Sequence, residues 1–210
     1  MTQQSDSLTT PLAVFSPHQD CLPEIFREEI NLAVWERPVS QPCSHFAQAF
    51  TRRTGSMERF MSLSKEDSAA SALPQWALEL EGADAFVADV DELIAMFSCL
   101  FEPEAVGLRL HVLQRTMCPR FHVDQVAARM ICTYQGAGTQ WLPEALVKRP
   151  GTPGPLPAQP IKDQDIRQIA TAAVAILKGE AWEGNEGRGL IHRSPPPEDK
   201  PRLVVGLDWL

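Results

Sequence analysis

Residues 120–125 read Arg-Phe-His-Val-Asp-Gln, setting an imidazole, His122, two positions before a carboxylate, Asp124. In an extended chain, positions i and i+2 share a face. His122 and Asp124 would then project together, with Val123 turned the other way into the packing. Either that face is wet and the pair does nothing, or the two side chains are two-thirds of a metal site. A second histidine would complete a set of two imidazoles and one carboxylate. Such a set leaves three positions of an octahedral Fe(II) open to substrate and oxygen. By itself an HxD pair in a strand is more often a solvated face than a ligand pair.

Four other histidines are available: His18, His45, His111 and His192. His18 falls in the loosely patterned start of the chain and His45 on an expected helix. His111 lies in the strand before the HxD segment and could face either way. His192 stands in Gly-Leu-Ile-His-Arg-Ser-Pro, a late strand preceded by glycine and followed by three prolines. That setting suits a strand end at a barrel mouth. Arg202 follows ten residues later and opens the apolar segment Arg202–Leu210. With Ser-Pro-Pro-Pro-Glu-Asp-Lys-Pro as the turn, His192 and Arg202 are expected on adjacent antiparallel strands. A buried guanidinium near a metal calls for a carboxylate partner, best a bidentate one. A 2-oxo acid cosubstrate would supply it, one end chelating the metal and the other meeting Arg202.

The elements that must position these groups differ between the two halves. Up to about residue 104 the pattern is mixed and mostly helical. Pro23 sits in a plausible first helical turn, Ile30–Pro38 alternates as a short strand, and Ser44 opens a helix as its cap. Residues 55–72 are polar and weakly patterned. The clearest helix spans about 84–101, where Phe86, Val90, Leu93, Ile94, Phe97, Leu100 and Phe101 recur at spacings of mostly three and four. After Glu104 short β-branched or alternating segments follow one another between Gly and Pro turns. Six or more strands in that half suggest a barrel or two-sheet sandwich. The stretch Ala170–Gly179 also suits a helix through its alanines, but its second half reads as a strand. Residues 149–160 hold five prolines and two glycines, so they form a loop or a lid beside the site.

Composition narrows the function classes. The chain has 210 residues, 44% of them hydrophobic and 22% charged, as in a soluble globular protein. No run is long and apolar enough for a membrane span, and the first residues have no basic-then-apolar secretory pattern, so a cytoplasmic location is expected. Net charge is −8, with 15 acidic and 6 basic residues in the first hundred. No basic stripe offers itself to nucleic acid. The cysteines, at 21, 43, 99, 118 and 132, are odd in number and without a CxxC spacing, which disfavours disulfides and thiolate zinc knuckles. Walker, GxSxG and dinucleotide fingerprints are absent.

The order HxD, distal histidine, then a basic residue about ten positions on resembles the Fe(II)/2-oxoglutarate-dependent dioxygenases. Residues 122–143, HVDQVAARMICTYQGAGTQWLP, resemble the prolyl-hydroxylase-type pattern, in which the HxD pair is followed by Arg and Thr, a Tyr and a Gly-Thr hairpin. This likeness covers residues 105–210. It implies a double-stranded β-helix (jelly-roll or cupin-like), iron on His122, Asp124 and His192, and 2-oxoglutarate clamped by Arg202 with Tyr134 assisting. Arg129 would support the cosubstrate or a carboxylate ligand, or form a structural salt bridge. More closely, INLAVWERP, LKGEAW and GLIHRSPP resemble a bacterial family known as domain of unknown function 1826. That resemblance implies a metal role and a link to zinc homeostasis through metallochaperone-type GTPases.

The expectation is therefore an α+β chain: residues 1–104 form a mostly helical region packed on a double-stranded β-helix of residues 105–210. The leading function is an Fe(II)- and 2-oxoglutarate-dependent oxygenase of unknown substrate. The alternative is a non-enzymatic metal-binding protein of the same fold that handles zinc, to which imidazole and carboxylate are equally suited. Arg202 separates the two, because only the oxygenase needs it aimed at the metal.

Overall fold

The computed structural model describes residues 10–64, 66–150 and 156–210. The elements are β1 (Leu12–Ser16), β2 (Ile30–Trp35), α1 (Gln41–Thr54), β3 (Met57–Leu63), α2 (Ala83–Phe101), β4 (Val106–Leu113), β5 (Ala128–Gln135), β6 (Gln140–Trp141), β7 (Arg167–Gln168), β8 (Val174–Lys178), β9 (His192–Arg193) and β10 (Arg202–Trp209). Seven strands form one large sheet in the order β1-β2-β8-β5-β10-β4-β3, and three short ones form a second in the order β7-β6-β9. Within the large sheet β1 and β2 run parallel and every other pair is antiparallel. The class is α+β. The large sheet takes strands from both sides of residue 104.

Alternation divides this sheet into two faces. On one, Leu108, Leu110 and Val112 of β4, Met130, Cys132 and Tyr134 of β5, and Leu203, Val205 and Leu207 of β10 join Phe46, Phe86, Val90, Leu93 and Phe97 in the main core. Here α1 and α2 pack. The stripe read along α2 is the one that is buried, from Phe86 to Phe101. The opposite face is split. Leu32, Val34, Ala175 and Leu177 close with Trp141 and Leu190 into a smaller apolar core beneath the second sheet. The rest, on β5, β10 and β4, carries the polar residues of the site.

Several local readings shift. The first helix is capped by Ser40, whose side chain accepts from the Cys43 amide at 3.4 Å, with Ser44 already inside it. Pro42 at the helix start hides the true cap position in the sequence. Pro23 lies inside a 3-10 helix, Gln19–Phe26. The weakly patterned 55–72 stretch contains β3, an edge strand with most side chains exposed, so it needs no hydrophobic alternation. Ala170–Gly179 resolves into a turn and β8, buried at every position. Of the lid reading of residues 149–160, residues 151–155 lie outside the described residues. No helix among the described residues is long and apolar enough to cross a membrane.

Candidate metal centre

His122 does not sit in a long strand. It makes a single antiparallel bridge with His192, exchanging both backbone bonds at 3.0 Å. His192 is simultaneously opposite Trp141 across β9 and β6. The two imidazoles thus come from neighbouring backbones, and their ring centroids are 4.5 Å apart. Asp124 is fixed by the end of β8: the Glu180 amide donates to the Asp124 carbonyl at 2.8 Å and the Gly179 amide to Ala127 at 2.9 Å. Gly179 makes this approach possible, since a Cβ there would lie 2.0 Å from the Val126 carbonyl oxygen.

The three side chains converge. One ligand atom from each of His122, Asp124 and His192 lies within 4.8 Å of the others, the only such group among the described residues. His122 Nε2 stands 3.9 Å from Asp124 Oδ1, and His192 Nε2 stands 3.4 Å from Asp124 Oδ2. The other ring nitrogens are engaged: His122 Nδ1 meets the Arg120 carbonyl at 3.0 Å and His192 Nδ1 the Leu190 carbonyl at 3.1 Å. A carbonyl can only accept, so each Nδ1 carries the proton and each Nε2 lone pair faces the centre. This is the tautomer a metal requires. Burial lowers the His192 pKa, against the pull of Asp124, and so favours that neutral form. Two neutral imidazoles and one carboxylate suit Fe(II), and the geometry fits it.

A line of ion pairs supports the carboxylate. Arg129 donates from a terminal nitrogen to Asp124 Oδ2 at 2.8 Å and from Nε to Asp208 Oδ1 at 2.6 Å. Asp208 is 1% exposed at its side chain and also accepts from Arg109 Nε at 2.6 Å. Burial alone would raise the Asp208 pKa, but the two guanidiniums hold it below the usual carboxylate value. Arg129 therefore forms a salt bridge with each of two carboxylates, Asp124 and Asp208. Asp208, on the last strand, is the pivot between two arginines.

Arg202 does not lie on the strand next to His192. It begins β10, in the large sheet, whereas β9 belongs to the small one. The two residues meet instead across a cavity of about 380 Å³ lined by His122, Asp124, His192, Arg129, Arg202 and His111 among others. Arg202 is 8% exposed. It donates to the Ala137 carbonyl at 2.6 Å and to the Thr133 and Thr139 hydroxyls at 3.4 Å. No carboxylate forms an ion pair with it among the described residues, and burial brings its pKa down to about 10. Gly136, at φ +80°, leaves room for it, because a Cβ would stand 2.8 Å from Arg202 Cγ.

Tyr134 is not part of this site. It follows Arg129, Ile131 and Thr133 out of phase and so faces the helices, where its hydroxyl donates to Asp89 Oδ2 at 2.6 Å. Trp141 packs in the smaller core. Arg193 and Ser194 do not contact the His192 ring. Arg193 donates to Gln140 Oε1 at 2.8 Å and the Ser194 amide donates to the Cys118 carbonyl at 3.1 Å, which pins the segment carrying His192. His18, just before the 3-10 helix, and His45, on α1, are exposed and do not line the cavity, whereas His111 does.

The fold, a large sheet facing a smaller one, is shared with solved structures. The chain is similar to a Pseudomonas putida prolyl-4-hydroxylase, with a TM-score of 0.53 and 9% identity over 91% of this chain and 98% of the other. It is similar to a full-length Neurospora crassa protein crystallised in complex with alpha-KG and 5-formyluracil, with a TM-score of 0.52 and 9% identity over 97% and 85%. A candidate oxygenase from Shewanella oneidensis gives a TM-score of 0.52 and 12% identity over 96% and 90%. At these identities the likeness is one of fold. No curated protein matches by sequence. Residues 16–208 match the family described as Protein of unknown function (DUF1826), and the chain belongs to that family.

Proposed function

We propose that this protein is an Fe(II)- and 2-oxoglutarate-dependent oxygenase of the hydroxylase type, with the two facing sheets forming a double-stranded β-helix. Residues 105–210 then supply the metal-binding half, and residues 1–104 its helical support and three outer strands. The observation that carries this reading is Arg202. It is a buried guanidinium whose hydrogen bonds go only to neutral oxygens, with Glu198 acting on it at longer range and no ion pair among the described residues, in the wall of the same cavity as His122, Asp124 and His192. A charge buried without a counter-ion is costly unless a ligand brings one. The distal carboxylate of 2-oxoglutarate is such a ligand, and Thr133 and Thr139 offer hydroxyls beside it. The fold shared with a Neurospora crassa protein crystallised with alpha-KG agrees with this choice.

His122, Asp124 and His192 would hold iron, which when bound supplies the activation of oxygen for oxidation of a substrate C–H bond. The rest is done by the chain's own groups. The backbone carbonyls of Arg120 and Leu190 keep both imidazoles in the ligating tautomer. Arg129 keeps the Asp124 carboxylate charged and oriented, so that it remains a ligand through the cycle. Arg202 sets the direction of the cosubstrate. The small sheet and the Trp141 core close one side of the cavity to water. Zinc handling alone gives Arg202 no task, and nothing in the geometry favours it.

The test is anaerobic addition of Fe(II) and then 2-oxoglutarate to metal-free protein, followed by visible absorption. A weak charge-transfer band from 2-oxo-acid chelation, lost in Arg202→Ala while the metal still binds, is the expected result. Absence of the band at saturating iron, or a band indifferent to Arg202→Ala, overturns the reading.

A further inference from the structure

The cavity holds a second guanidinium whose fork is not spent on the protein. Arg109, in the middle of β4, lines the cavity with its side chain 39% exposed. Its Nε is committed to Asp208, and its Cζ lies 4.8 Å from the centre of the Phe60 ring. Phe60 is directly opposite Arg109 in the β3–β4 ladder, so both stand on the site face. Among the described residues, nothing accepts a hydrogen bond from the two terminal nitrogens of Arg109. Gly206 is opposite Arg109 on the other neighbour, β10, and brings no side chain against it; an added Cβ would touch Arg109 Cβ at 3.7 Å, an ordinary contact. One edge of this guanidinium is clamped and one face is stacked, which leaves its remaining edge held at the wall of the cavity.

We propose that Arg109 anchors the primary substrate, and that this substrate carries a carboxylate or phosphate group held by the two terminal nitrogens. The inference rests on the oxygenase reading, in which Arg202 is already taken by the cosubstrate. A planar fork held in place loses little freedom on meeting a two-oxygen anion. The ion-pair line Arg109–Asp208–Arg129–Asp124 fixes this anchor relative to the metal carboxylate, with contacts of 2.6, 2.6 and 2.8 Å. The anchor therefore selects substrates by the span between their anion and the carbon to be oxidised. His111, two residues along β4, presents a half-buried imidazole to the same cavity. Burial lowers its pKa, against the pull of Glu58, so at neutral pH it is an uncharged partner for a polar group next to the anion. Glu58 is opposite His111 on the exposed β3, diagonal to Arg109.

Calorimetry on the full chain loaded with Mn(II) and saturating 2-oxoglutarate tests this. One arm titrates inorganic phosphate, and the other titrates N-acetyl amino acids beside their neutral N-methylamides. An anionic probe should bind and its neutral analogue should not, and Arg109→Gln should weaken binding by about tenfold or more, as for a hydrogen bond to a charged group. The arm that binds identifies phosphate or carboxylate as the substrate's group. Arg109→Lys keeps a charge for Asp208 but loses the fork, and should also weaken binding if Arg109→Gln disturbs the metal site. Anion binding unchanged in both variants, or no preference for anion over neutral analogue, overturns the proposal. Failure of 2-oxoglutarate to bind the metal-loaded wild type would instead be a failure of the oxygenase reading. The Arg109 comparison then runs in the Arg202→Gln background with Mn(II) alone, with the same two outcomes.

Discussion

The two faces of the large sheet carry buried arginines in opposite situations. On the helix face Arg37 grips Asp89 with both terminal nitrogens, and Tyr134 adds its hydroxyl to the same carboxylate at 2.6 Å. The Arg37 charge thus finds its counter-charge within the fold. On the cavity face Arg129 is likewise saturated, between Asp124 and Asp208, but Arg202 has only a carbonyl and two hydroxyls. The difference separates charges paired within the fold from the charge that the proposed function gives to 2-oxoglutarate. Burial by itself does not distinguish them, whereas the presence or absence of an internal counter-ion does.

Substitutions on the two faces should therefore separate stability from binding. The largest effect is expected on the helix face. Asp89→Ala leaves Arg37 buried and unpaired and should cost about 3–5 kcal/mol in urea unfolding. It should leave the metal affinity of the folded protein alone. On the cavity face His192→Ala removes a ligand and should lower Fe(II) or Mn(II) affinity by at least about a hundredfold in anaerobic titration, beyond the loss typical of supporting residues. Unfolding stability of the metal-free protein should change far less, and an equal loss of both would blur the distinction between the faces. Arg202→Met should weaken 2-oxoglutarate binding by about tenfold or more, for the loss of hydrogen bonds to a charged group. It should unfold at nearly the same denaturant concentration as the wild type or a higher one, since a buried charge without a partner is removed.

Smaller effects refine the comparison. Tyr134→Phe should cost about 1.5–3 kcal/mol of stability through its bond to a carboxylate. It should leave 2-oxoglutarate affinity unchanged, and a changed affinity would put Tyr134 back in the site. The least effect is a pH dependence. Asp208 titrates below its ordinary value when folded. The stability it contributes is full above the ordinary carboxylate range and is lost as pH falls through the lower folded-state value. Comparing unfolding of the wild type with Asp208→Asn between neutral and strongly acidic pH should show that this part of the acid destabilisation belongs to Asp208.

Much of the site was legible in the chain because its signals are local. The HxD pair, the distal histidine after glycine, and an arginine opening the last strand are short patterns with a chemical reason. The stripe on α2 and the alternation of β4, β5 and β10 likewise follow from which face must be dry. These features gave an α+β chain and named His122, Asp124, His192 and Arg202 together. What stayed hidden depends on partners distant in sequence. Tyr134 follows the resemblance well, yet the phase of β5 turns it toward Asp89, 45 residues earlier. Asp208 looks like an ordinary residue of a last strand until Arg129 and Arg109 arrive from two neighbouring strands. β3 is silent in the sequence because an edge strand with a wet surface needs no apolar alternation.

The sequence by itself determined which residues could ligate a metal and which segments must be buried, because side-chain chemistry and periodicity are properties of short stretches. Only the tertiary structure decided which of those residues meet. The bridge between His122 and His192, the cavity that joins β9 to β10, and the lack of an ion pair at Arg202 among the described residues are facts of register and strand order. Those are set by the packing of two sheets and two helices together, and no stretch of the chain carries them alone.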